Sequence, residues 1–256
     1  RDRMFIVQPL FGKLLLPLLG GSPSVWNTCM VFYQSILFAG YLYAHAIATR
    51  FTLKEQITTH IFVLALSLLF LPIALPNNNL PPTTTDPTIW LLGTLSIAIG
   101  SPFFAVSTTA PLIQKWFSQL GHTHSEDPYF LYVASNIGSL LALLSYPFLI
   151  EPDIGLGQQQ IDWSIAYLIL CSLIIACGLF VKYRHNNQPL QVEQSSQDIT
   201  SPPLALQTKF RWLALAFIPS SLLLGLTNFI STDIASVPLL WIVPLTIYLF
   251  SFIVAF

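Results

Sequence analysis

The chain has 256 residues, 54% of them hydrophobic and 8% charged, with a formal net charge of −1 at pH 7. A soluble domain carries about 25% charged residues, so a mean hydropathy of +0.68 excludes an ordinary water-soluble core. The missing basic excess also excludes a nucleic-acid binder, which needs a positive face.

Eight apolar stretches follow one another at residues 4–19, 25–48, 57–74, 89–114, 128–150, 163–181, 212–230 and 236–256. Each lies near the roughly 20 residues that cross a hydrocarbon layer at 1.5 Å per residue. The first is short and holds Pro9, Lys13 and Pro17. No A-x-A-like site follows it, so it reads as a marginal span rather than a cleaved signal peptide. Lys13 is a basic residue inside a span, where charge is costly enough to mark a functional site. The alternative is that its long stem carries the ammonium to an interface.

In the second stretch Gly40, Ala44 and Ala48 recur every four residues, and in the fifth Ala134, Gly138 and Ala142 do the same. Helices in lipid associate where small side chains let backbones approach, so both faces are expected to be packed. In the fourth stretch Ser107, Thr108 and Thr109 precede Pro111, and Gly100-Ser101-Pro102 makes a second break. The hydroxyls are placed to satisfy carbonyls that proline frees.

The fifth stretch opens at Asp127-Pro128-Tyr129 and puts Tyr129, Tyr132, Asn136 and Ser139 at offsets of three, four and three. That spacing keeps them on one helical face. A carboxylate, two phenol rings and an amide could hold an organic cation through an ion pair and cation–π contact. Alternatively, Asp127 caps the helix and the stripe bonds to neighbouring helices. Lys13, Asp127, Tyr129, Tyr132 and Asn136 are therefore the candidate substrate-binding residues.

Cys29, Cys171 and Cys177 lie inside spans without metal-ligand spacing, and read as small packing residues. The five histidines form no ligand set, and no phosphate-loop, dinucleotide, triad or H-E-x-x-H pattern occurs. No cofactor, metal or catalytic residue is expected. Asp86, Glu151, Asp153, Asp162 and Asp233 are expected to face no basic partner.

A polar run at 183–208, rich in Gln, Ser, Asn and Pro, cannot build a core and is expected to be a flexible linker. It separates a first bundle of six spans at 1–182 from the start of a second bundle at 209–256. A weak internal similarity runs parallel across it: Phe5 to Trp26 on one side, Phe217 to Trp241 on the other. The seventh span would then restart the first, as in transporters built from two six-helix halves.

Nine of the ten basic residues fall on one side of the alternating spans: Arg1, Arg3, Arg50, Lys54, Lys115, Lys182, Arg184, Lys209 and Arg211. The connections at 20–24, 76–87, 151–162 and 231–233 carry none. Short basic loops stay in the cytoplasm, so both termini are expected there.

Several segments resemble a family of bacterial integral membrane proteins in which a transporter-like helical domain is fused to a cytoplasmic spermidine-synthase-like domain. They include Val7-Gln8-Pro9-Leu10 with Lys13, Gly20-Gly21-Ser22-Pro23-Ser24-Val25-Trp26, Gly40-Tyr41-Leu42-Tyr43-Ala44-His45 and Ser107-Thr108-Thr109-Ala110-Pro111. Asp127-Pro128-Tyr129 through Asn136 to Glu151-Pro152, and Ser231-Thr232-Asp233 to Trp241, extend the likeness over nearly the whole chain. Two departures are that Arg1-Asp2-Arg3 stands where the family has a longer apolar lead, and that its synthase-like domain does not follow Phe256.

The resemblance implies an all-α inner-membrane protein of about eight helices, with a major facilitator-like six-helix half plus the start of a second. It further implies lipid as solvent and a small cationic metabolite, such as a polyamine, as cargo. The rival roles are the membrane anchor of an aminopropyltransferase-like enzyme, or a subunit bound to partners in a larger membrane complex.

The topology is tested by introduced cysteines and an impermeant thiol reagent applied outside intact cells. Positions 78 and 158 should label and position 194 should not; labelling at 194 would reverse the orientation.

Overall fold

The computed structural model describes residues 2–20, 22–75, 81–82, 86–118, 129–187, 205–230 and 242–255. Every regular element among them is helical: α1 (Asp2–Leu19), α2 (Pro23–Arg50), α3 (Leu53–Ser67), α4 (Thr88–Leu95) and α5 (Ser101–Ser118). There follow α6 (Tyr129–Ser145), α7 (Glu151–Asp153), α8 (Leu156–Asn187), α9 (Leu206–Phe229) and α10 (Ile242–Ala255). A π-helical turn at Ser96–Gly100 joins α4 to α5, and another at Tyr146–Ile150 joins α6 to α7. Six runs are long and apolar enough to cross a membrane: Ser24–Arg50, Leu53–Phe70, Thr88–Ser118, Val133–Asp153, Leu156–Arg184 and Leu206–Phe229. Val7–Leu19 and Ile242–Ser251 are apolar but shorter. The protein is a multi-pass helical membrane protein.

Local chemistry sets the helix ends. Gly20 takes a left-handed φ of 72° after α1, a conformation that a Cβ resists, and its N–H donates to the Leu16 carbonyl at 2.9 Å. Pro23 opens α2, where its missing N–H is harmless. At the start of α3 the Glu55 carboxylate accepts the Thr52 backbone N–H at 2.8 Å and its hydroxyl at 2.9 Å. Ahead of α4 the Asp86 carboxylate accepts the Thr88 hydroxyl at 2.6 Å and backbone N–H at 2.9 Å. Those bonds hold its carboxyl below the usual range.

Two expectations about breaks need correction. The third span was expected to run to residue 74, but helical structure ends with a single 3-10 turn at Leu68–Phe70. Pro72 lacks an N–H and disfavours helical backbone at Leu71. The helical structure of the fourth span continues through Pro111, which lies inside α5. Its hydroxyls do not reach the Ser107 carbonyl that Pro111 frees. Ser107 donates to the Phe104 carbonyl at 2.7 Å, while Thr108 and Thr109 donate to that of Ala105 at 2.7 and 2.9 Å. A helical hydroxyl reaches carbonyls three or four residues behind it, which here lie before the freed one.

The short first helix proves central. Val7, Leu10, Phe11 and Leu15 of α1 are fully buried in the main core, with Phe32 and Tyr33 of α2, Phe103 and Val106 of α5, and Tyr167 and Cys171 of α8. The most extensive helix–helix contact among the described residues is that of α2 with α5. They meet at Gly40, where an added Cβ would collide with the Ser107 side chain and come within 3.3 Å of Thr108 Cγ2. The small-residue face of α2 is thus a true contact.

The corresponding face of α6 is only partly buried. Ala134 is exposed and Gly138 and Ala142 are half-buried, whereas Asn136, Ser139, Leu143 and Tyr146 are buried. Here α6 lies between α1 and α10 and turns its polar stripe inward, so the packed stripe is the one first read as a binding face.

At Gly40, Gly40→Ala should destabilise the detergent-solubilised protein by about 1–3 kcal/mol through overpacking. Ser107→Ala should restore part of that loss in a double-mutant cycle. An unchanged melting temperature for Gly40→Ala would mean that the two backbones stand farther apart.

Candidate functional site

Polar side chains inside the membrane fall into three groups. The first is the α6 stripe. Asp127 lies outside the described residues, and so do the side chains of Tyr129 and Tyr132 in the first turn of α6. Asn136, two turns on, is 3% exposed and its amide nitrogen has no hydrogen-bond partner. Ser139 is buried too, but its hydroxyl bonds back to the Ser135 carbonyl at 2.8 Å. Thr246 of α10, the helix packed on α6, also has a buried hydroxyl without a partner.

The second group centres on Lys13, whose ammonium is ion-paired to Glu151 at the far end of the α6–α7 run. The two side chains are 26% and 27% exposed. Glu151 was expected to face no basic partner; α1 packs along α6, and that contact delivers Lys13 to it. Lys13 and Asn136 are not brought together. Fifteen residues separate Asn136 from Glu151, about 20 Å at the helical rise.

The third group was not singled out in the sequence. His60 of α3 is 0% exposed and both ring nitrogens lack partners. Its ring meets Trp116 of α5 edge-on at 5.9 Å and Tyr43 of α2 at 6.3 Å. The Tyr43 hydroxyl is likewise buried and unbonded, its ring lying edge-on to Phe104 at 5.5 Å.

One turn before His60, Gln56 is bonded through both its oxygen and its nitrogen. Its oxygen accepts the Trp116 indole N–H at 3.3 Å and its amide nitrogen donates to the Phe51 carbonyl at 2.8 Å. Each unbonded buried polar group costs about 1–3 kcal/mol. Three of them in one aromatic cluster therefore form an unsatisfied site rather than a structural network. The clue in the sequence was a Gln56–His60 pair four residues apart in an apolar helix, hence on one face.

The Tyr33 hydroxyl in the main core is a further buried group without a partner, whereas several other buried polar residues are paired. The Ser67 and Tyr167 hydroxyls bond each other between α3 and α8. Tyr146 donates to Gln159 at 3.1 Å, and Gln159 donates to the Ile154 carbonyl at 2.7 Å. Cys29 and Cys171 are free and buried, Cys177 free and exposed. No group of three or more metal-ligating side chains occurs among the described residues. Comparison with family models, curated proteins and solved structures finds no match to this chain.

The Lys13–Glu151 pair yields a sign test. Lys13→Ala leaves a carboxylate unpaired beside apolar helices and should cost about 1–3 kcal/mol, between the values for exposed and buried pairs. Adding Glu151→Gln should recover most of the loss. Equal melting temperatures for wild type and Lys13→Ala would place both groups in water.

Proposed function

We propose that this chain is the helical membrane domain of a spermidine-synthase-like fusion protein of the bacterial inner membrane. In this reading both termini are cytoplasmic, eight helices cross in a major facilitator-like arrangement, and the domain moves or presents a small cationic metabolite such as a polyamine.

One observation supports this best. The buried stripe of α6 holds the unbonded Asn136 amide nitrogen, and α10, from beyond the linker, packs against that helix. Transporter sites lie where two helical units meet. Rotation of an amide offers a cation its oxygen in place of its nitrogen. Tyr129 and Tyr132 would add cation–π contact of about 0.5–2 kcal/mol per ring, and Asp127 a carboxylate nearer the cytoplasm. Glu151 offers a second carboxylate, which an incoming amine reaches by displacing Lys13. Alternating access of the two bundles is the mechanism.

The anchor or subunit reading has its own support in α9, whose Phe210, Trp212, Leu213, Phe217, Ile218 and Leu222 are all exposed. A helix exposed over most of its surface needs only lipid or a neighbouring subunit.

Thermal stability against added amine separates the two. Because binding must also order a flexible ligand, spermidine and putrescine should raise the melting temperature at millimolar concentration. Tyr132→Leu and Asn136→Leu should each weaken the shift. An absent shift at every concentration, or one that survives both substitutions, favours the anchor.

A further inference from the structure

We infer that His60 is a proton-binding site, placed where α2, α3 and α5 meet, and that the proton is the ligand this junction takes up. The inference does not depend on the metabolite reading, because a proton site serves any cargo or none.

The geometry carries the argument. A neutral imidazole has one donor and one acceptor nitrogen. Both are unbonded here, in a ring with no exposed surface, on a helix that crosses a membrane. An ionisable side chain in that position marks a proton or ion path. A histidine serving only to fill space would be matched by an apolar residue without the polar cost. Packing does not need its nitrogens, whereas a proton does.

The surroundings suit a cation that comes and goes. Tyr43 supplies an unbonded hydroxyl oxygen, an acceptor for imidazolium N–H directly or through a water. Tyr43 is the titratable group that faces His60 from α2. The rings and chain that α5 and α8 bring to this cluster, Trp116 and Gly178, do not titrate.

The charged residues of these helices sit toward their ends. Arg50, Lys54, Glu55 and Lys115 are exposed and Lys182 is half-buried. No ion pair to His60 occurs among the described residues, so no carboxylate locks the ring in its charged form. Its occupancy is free to follow the proton activity of whichever aqueous side reaches it. From the start of α3 to His60 is seven residues, about 10 Å along the axis. That is short enough for transient water entry from the Arg50–Lys54 end.

Trp116 reports the event directly, since a protonated imidazole quenches an adjacent indole more than a neutral one does. The full chain in lipid nanodiscs should lose Trp116 emission in a single step as pH falls from roughly 8 to 3, a range wide enough for a buried imidazole. The Trp116 share is the difference between wild type and Trp116→Phe.

The step should vanish in His60→Gln and persist in His45→Gln. Tyr43→Phe, which deletes one hydroxyl, should move its midpoint to lower pH because the imidazolium loses an acceptor. A Trp116 signal flat across the range, or a step that survives His60→Gln, overturns the proposal. If His60→Gln does not fold, Tyr43→Phe decides: a lowered midpoint supports the site and an unmoved one overturns it.

Discussion

A hydrocarbon layer offers a backbone N–H or a side-chain hydroxyl nothing to bond to, and the arrangement of this protein follows from that. Helices answer the constraint for the backbone, because each satisfies its own donors and acceptors. Serine and threonine answer it locally: Thr28, Thr49, Ser107, Thr108, Thr109, Ser139 and Ser164 all donate to a carbonyl on their own helix. Larger polar residues cannot reach back in that way. Lys13, Gln56, Gln159 and Tyr167 find partners on other elements or in a neighbouring turn, and those bonds pin the helices to one another.

Where the constraint is not met, the Tyr33 hydroxyl stands alone in the main core, and other exceptions form two clusters. Asn136 and Thr246 lie on the packed pair α6 and α10; His60 and Tyr43 lie at the junction of α2, α3 and α5. Apolar packing alone would exclude such groups, since lipid offers them no compensation. The pairing of a satisfied framework with two unsatisfied clusters separates structure from candidate chemistry. The first cluster presents an unbonded amide nitrogen at Asn136 and the second an unbonded imidazole at His60.

Packing supplies rigidity where hydrophobicity cannot. Lipid tails are as apolar as leucine, so helices adhere through close contact. Gly40 against Ser107 provides this between α2 and α5, and the buried face of α1 provides it between the core and α6. At the other extreme α9 has Thr227 as its buried residue and meets α2 through an Asn27–Asn228 hydrogen bond of 3.3 Å. Its surface is available to lipid or to other helices.

The sequence by itself determined the helical class, the succession of apolar runs and the small-residue contact at Gly40, because these depend on composition and on periods of three to four residues. It also marked Lys13 and Asn136 as polar groups out of place. It could not show that Lys13 meets Glu151, 138 residues away, or that the buried face of α6 is the polar stripe rather than the one through Ala134. Nor could it single out His60 among five histidines. Spacing along one helix says which residues share a face. Only the neighbouring helices decide whether that face meets lipid, a counter-charge or an unbonded ring nitrogen, and those neighbours come from distant parts of the chain.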